Sequence, residues 1–89
     1  MDGTAQGEEP LVVYGAGWCP DVRRSRALLD GAGVPYRYVD VEADARAEAL
    51  VRELQHGPRR IPTLVRADGA HLVEPSDPDL RAWLGLDPA

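Results

Sequence analysis

A four-residue apolar run, Leu11-Val12-Val13-Tyr14, is cut short by Gly15-Ala16-Gly17 and followed at once by Trp18-Cys19-Pro20-Asp21. No other juncture constrains the fold as strongly. A short, continuous, β-branched run reads as a strand covered on both faces, because a half-exposed strand would alternate polar and apolar residues. Proline suits the first turn of a helix, where its missing N–H has no intrahelical use, and Asp beside it complements the helix dipole. Val22, Ser25, Ala27, Leu28 and Leu29 then recur at helical spacing, and Asp30-Gly31 supplies a stop. The pattern predicts a helix from Pro20 to Asp30 with Cys19 at its N-terminus.

Further along, Tyr36–Val41 is β-rich and alternating enough for a second strand. Asp44 suits an N-cap, and Ala47, Leu50, Val51 and Leu54 form an i, i+3, i+4, i+7 stripe that Gly57-Pro58 ends. Thr63–Arg66 and His71–Glu74 flank Ala67-Asp68-Gly69-Ala70, where Asp-Gly favours a tight hairpin turn. Ser76 or Asp77 can cap a last helix through Leu80, Trp83 and Leu84 to Gly85. The order is β-α-β-α-β-β-α: a β-α-β unit with parallel strands, then an antiparallel hairpin, in a mixed sheet with helices packed on it.

The length of 89 residues implies one domain, with no repeats and no internal linker. Residues 1–10 carry almost nothing to bury and read as a mobile tail, with the domain expected over 11–86. Ten basic against fifteen acidic residues leave a net charge of −5, a poor match for a phosphate backbone, so no nucleic-acid partner is expected. No run is long and apolar enough to span a membrane, and Met1–Thr4 lacks the basic flank and apolar stretch of a signal peptide. A cytoplasmic monomer is the expectation. All ten basic residues are Arg, and Lys, Asn and Phe are absent, the bias of a GC-rich genome.

Cys19 is the single cysteine. It cannot form an internal disulfide, and with only His56 and His71 it cannot build a standard structural zinc site, so no metal is expected. A lone cysteine can serve as a small buried apolar residue. This one precedes Pro20 at a helix N-terminus, where unpaired N–H groups and the dipole favour a thiolate. Arg23 and Arg24, one turn on, would add to that effect, and Asp21 would oppose it. Trp18 reads equally as the wall of a groove or as a partly buried aromatic, while both histidines read as surface residues.

The segment Val12–Pro20 resembles the opening strand and active-site turn of the glutaredoxins. Arg60-Ile61-Pro62-Thr63 resembles their second landmark, a loop whose proline is cis and lies beside the reactive sulfur. Ala67-Asp68-Gly69 with Leu72–Asp77 is similar to the hairpin and helix start of the mycoredoxin-like glutaredoxins of actinobacteria. The likeness runs from about Leu11 to Leu84.

This resemblance implies a thioredoxin-like α/β fold with a four-stranded mixed sheet, and a low-molecular-weight thiol lying across Cys19, Pro62 and the start of the last helix. By position, Cys19 is the nucleophile, with Trp18 and Pro20 beside it. Ile61 would pair its backbone with the thiol's peptide-like portion, and Ser76 and Asp77 would meet its polar end. Arg60 is either a cation for a carboxylate or a bare surface charge.

Three departures bear on mechanism. Val22 stands where dithiol members carry a second cysteine, Gly15-Ala16-Gly17 lacks the basic residue that often precedes Trp-Cys, and Glu74-Pro75 replaces a Gly-Gly. Glu74 would repel an anionic thiol, which favours mycothiol over glutathione as co-substrate. The expected activity is reduction of mixed disulfides between client proteins and such a thiol, with no bound cofactor. A non-catalytic thiol-binding or redox-sensing module is the alternative. Iron–sulfur carriage, associated with a Cys-Gly-Phe-Ser turn, fits less well with Cys19-Pro20-Asp21-Val22.

Overall fold

A computed structural model describes residues Leu11–Asp87. The tail expected over 1–10 lies outside the described residues. The elements are β1 (Leu11–Gly15), α1 (Pro20–Gly31), β2 (Arg37–Asp40), α2 (Ala45–Leu54), β3 (Thr63–Arg66), β4 (His71–Val73) and α3 (Asp77–Leu84). They form one sheet in the order β2-β1-β3-β4. β1 runs parallel to β2 and antiparallel to β3, and β3 is antiparallel to β4. This is the thioredoxin-like arrangement that the element order implies.

The central strand β1 explains its own composition, because successive side chains leave on opposite faces. Leu11 and Val13 pack with Leu29 of α1, Leu64 of β3 and Leu80 of α3. Val12 and Tyr14 join Ala47 and Val51 of α2 on the other face. Complete burial of an aliphatic side chain stabilises by about 1.5–3 kcal/mol, so a strand buried on both faces anchors both layers at once.

The caps follow the local chemistry. Asp44 Oδ1 accepts from the N–H groups of Arg46 and Ala47 at 3.0 and 3.1 Å. Ser76, rather than Asp77, caps α3, its Oγ accepting from Asp79 N–H at 3.2 Å. Gly85 ends α3 at φ 73°, a left-handed conformation that glycine adopts without steric cost.

Several boundaries differ from expectation: β1 and α1 each run one residue further, to Gly15 and Gly31, and β2 stops at Asp40. β2 begins at Arg37, because the Tyr36 hydroxyl is occupied with α1: it donates to Asp30 and accepts from Arg26. β4 stops at Val73, because Glu74 turns to φ 48° and leaves the ladder. α2 ends at Leu54, short of Gly57-Pro58, because His56 has already turned to φ 57°.

Candidate functional site

Cys19 is the N-cap of α1, with extended backbone angles (φ −81°, ψ 121°), and its sulfur makes no capping bond. Its N–H donates to Ala16 O and its carbonyl accepts from Arg23 N–H, both at 3.1 Å. The next two available donors, the N–H groups of Asp21 and Val22, have no partner among the described residues. Cys19 is 9% exposed and packs in one cluster with Ala16, Val22, Val41 and Ile61. Cys19 is thus held at the edge of the core with only a narrow opening to solvent.

Val22 is fully buried, and it explains Gly15. A methyl group at Gly15 would lie 2.7 Å from Val22 Cγ1 and 2.8 Å from Cγ2, so β1 and the first turn of α1 touch where only a hydrogen fits.

The sequence places Arg23 and Arg24 as cations for a thiolate; both have other partners. Arg23 Nε donates to Gly17 O at 3.0 Å and its NH2 group reaches Trp18 O at 3.5 Å, so the guanidinium holds the turn that leads to Cys19. Arg24 bonds Asp21 at 3.0 Å and lies 3.6 Å from Asp77 Oδ1, which ties the first turns of α1 and α3 together.

Trp18 is 57% exposed, a surface rather than a core residue. Its indole N–H is shared between both carboxylate oxygens of Glu42 at 3.1 Å. Glu42 in turn lies 3.7 Å from Arg59, which also approaches Glu48 at 3.9 Å. Glu42 and Arg59 had no signal of their own in the sequence. Together they join the Trp18 turn, the β2–α2 connection and the loop before β3.

That loop carries Ile61-Pro62, whose peptide bond is cis as expected. Both side chains are buried. Pro62 O accepts from Glu74 N–H at 2.9 Å, fixing the loop to the segment that enters α3. Of the residues chosen from the sequence, Cys19 and Ile61 share one packed cluster, while Pro62 is bonded to Glu74 and Asp77 lies against Arg24. Pro20 and Ser76 stand exposed at the N-terminal ends of α1 and α3. Arg60 is the outlier: it lines a shallow groove with Leu54, Gln55, Pro58, His71 and Val73, none of which packs in the Cys19 cluster. A concavity of about 640 Å³ between α1 and α3 shares Arg24 and Asp77 with the site but not Cys19.

The glutaredoxin family model matches residues 11–72, a span that includes the Cys19 turn and the cis-proline loop. The chain belongs to the glutaredoxin family. This glutaredoxin is 34% identical over 65 residues to mycoredoxin 1 of Corynebacterium glutamicum, covering 73% of this chain and 80% of the relative. It is 32% identical over 74 residues to a glutaredoxin-like protein of Mycobacterium tuberculosis, covering 83% and 88% of the two chains. Both likenesses fit the mycoredoxin-like group. The crystal structure of the glutaredoxin grx-1 from Archaeoglobus fulgidus superposes with a TM-score of 0.71 over 94% of this chain and 95% of that one, at 18% identity, which bears on the fold alone. At the level of the family, this glutaredoxin is a thiol–disulfide oxidoreductase whose co-substrates are low-molecular-weight thiols.

Proposed function

We propose that this glutaredoxin works through one thiol. Cys19 as thiolate attacks the small-thiol sulfur of a mixed disulfide, and the client protein leaves as its own thiolate. A second small-thiol molecule then attacks the sulfur of the small thiol bound to Cys19. Cys19 departs as thiolate, and the two small thiols leave joined as a disulfide. Each exchange breaks one S–S bond and forms another, so the cycle consumes one free small thiol, which leaves joined to the one removed from the client.

The observation that carries this reading is the pairing of a nearly buried Cys19 with a fully buried Val22 at the place of a resolving thiol. With no second cysteine in the chain, a small thiol must do the resolving. Trp18, Pro20, Ile61, Pro62, Ser76 and Asp77 form the thiol-binding surface, and Arg60, in a separate groove, remains a surface charge. Glu74 sets a negative charge beside the entry to α3, which favours a neutral thiol such as mycothiol over glutathione. The protein acts on S-thiolated clients as a cytoplasmic monomer in this reading. Peptides capped with glutathione and with mycothiol test it: the wild type turns over at least one, the mycothiol adduct faster, and Cys19→Ser turns over neither. Absence of wild-type turnover on both would overturn it.

A further inference from the structure

One side chain holds the loop that leads into the cis peptide. Gln55 follows the last residue of α2, and its carboxamide turns towards residues 60–63. Nε2 donates to Arg60 O at 2.9 Å and to Thr63 Oγ1 at 2.7 Å, while Oε1 accepts from Arg60 N–H at 3.0 Å. The Thr63 hydroxyl, fully buried, donates to the same Arg60 carbonyl at 2.8 Å. On the far side, Pro62 O is taken by Glu74 N–H. Between these fixed points, neither the N–H nor the C=O of Ile61 has a hydrogen-bond partner among the described residues.

The arrangement is selective. The polar groups flanking Ile61 are used to hold the loop, and one donor and one acceptor are left over on a residue that packs with Cys19. Unpaired backbone groups of this kind are the natural partners of an extended, peptide-like ligand. Their usefulness depends on being fixed before the ligand arrives, since a ligand that must also order the loop binds more weakly. A carboxamide is the group the loop needs: a carboxylate could accept from Arg60 N–H but not donate twice, and an aliphatic chain could do neither.

We propose that Gln55 is a positioning residue for substrate binding, holding the free backbone edge of Ile61 in place for the small thiol. The assignment rests on the oxidoreductase reading for the identity of the ligand. Its test is a binding measurement, so that the two can fail separately. The probes are S-methylglutathione and S-methylmycothiol, thioethers that cannot exchange with Cys19, titrated while the Ile61 amide resonance is followed. In the wild type the Ile61 amide shifts on titration with at least one probe. Gln55→Leu weakens that binding roughly tenfold, Gln55→Glu weakens it less, and both leave the alkylation rate of Cys19 by iodoacetamide within about twofold of the wild type. An Ile61 amide that ignores both probes in the wild type would overturn the proposal. So would equal affinity in all three proteins, or a fall in Cys19 alkylation that matches the loss of binding. Turnover of the capped peptides is judged on the wild type alone, whatever Gln55 does.

Discussion

The two segments that meet at the site are built in opposite ways. From Gly15 to Val22 the chain is held by backbone geometry and close apolar contact: a strand end, a proline-started helix, and a valine seated against a glycine. Its side-chain bonds, from Arg23 to Gly17 and Trp18, lie on the surface. From Gln55 to Pro62 the chain has no regular structure, and the half-buried carboxamide of Gln55 and the buried hydroxyl of Thr63 hold it. The first segment fixes Cys19, the proposed nucleophile, by excluding volume, and the second fixes the Ile61 backbone, the proposed binding edge, by directed bonds. Damage should therefore differ in kind, with steric changes disturbing the first and loss of single polar atoms disturbing the second.

The largest effect on stability is expected at Gly15. Gly15→Ala pushes a methyl into Val22 and destabilises by about 1–3 kcal/mol, as overpacked cores do. Adding Val22→Ala makes room, so the double variant is more stable than the sum of the two singles predicts, read from urea unfolding. Additive losses would show that the contact does not set the juncture. At the other segment, Thr63→Val keeps the shape and removes the hydroxyl, leaving one Gln55 donor without its partner at a cost of about 1 kcal/mol. Alkylation of Cys19 should stay unchanged in that variant. If it slowed, the two segments would not be as independent as their construction suggests.

Much of the first segment is legible in the sequence because its determinants are local. Proline at the first helical position and the glycine stop after an apolar strand act within a few residues, as do the Asp44 and Ser76 caps elsewhere in the chain. The Cys19 turn and the Ile61-Pro62 loop were found by their likeness to a family. The loop's supports were not found, for a physical reason. Gln55 looks like one more polar residue at a helix end, and only the folded chain shows that its amide reaches residues five and eight positions ahead. Glu42 and Arg59 are likewise ordinary surface charges until Trp18 and Glu48 lie next to them. Arg60 reads from the sequence as a cation for a carboxylate or as a bare surface charge, whereas it is Arg59 that meets Glu42, the partner of the Trp18 indole. Adjacent residues in an irregular loop point in directions that no periodicity predicts.

Two smaller effects sharpen the contrast further. Glu74, at φ 48°, holds a backbone conformation that costs a non-glycine residue roughly 1 kcal/mol. Glu74→Gly recovers part of that, raising the melting temperature by a few degrees, and weakens discrimination against glutathione in the paired peptide assay. A drop in stability would mean that the side chain does more than occupy the turn. The last effect lies behind α1, where burial pushes the Tyr38 hydroxyl above its usual value, Asp40 adds to the rise, and Arg26, stacked 3.9 Å from the ring centre, opposes it. A phenol raised in the folded state keeps its proton after the unfolded chain has lost it. Its contribution is therefore complete below about pH 10 and declines as pH climbs through the folded value. Tyr38→Phe should flatten that decline in urea midpoints measured above about pH 9.

The central claim is that Cys19 alone, resolved by a small thiol, completes a catalytic cycle. It is tested most directly by mass spectrometry of the protein during turnover of a mycothiol-capped peptide. The account predicts a Cys19–mycothiol adduct that forms as the peptide is freed, disappears when free mycothiol is added, and never appears in Cys19→Ser. An adduct that forms once and persists in excess free mycothiol would contradict it, and would make the protein a thiol-capped sensor instead.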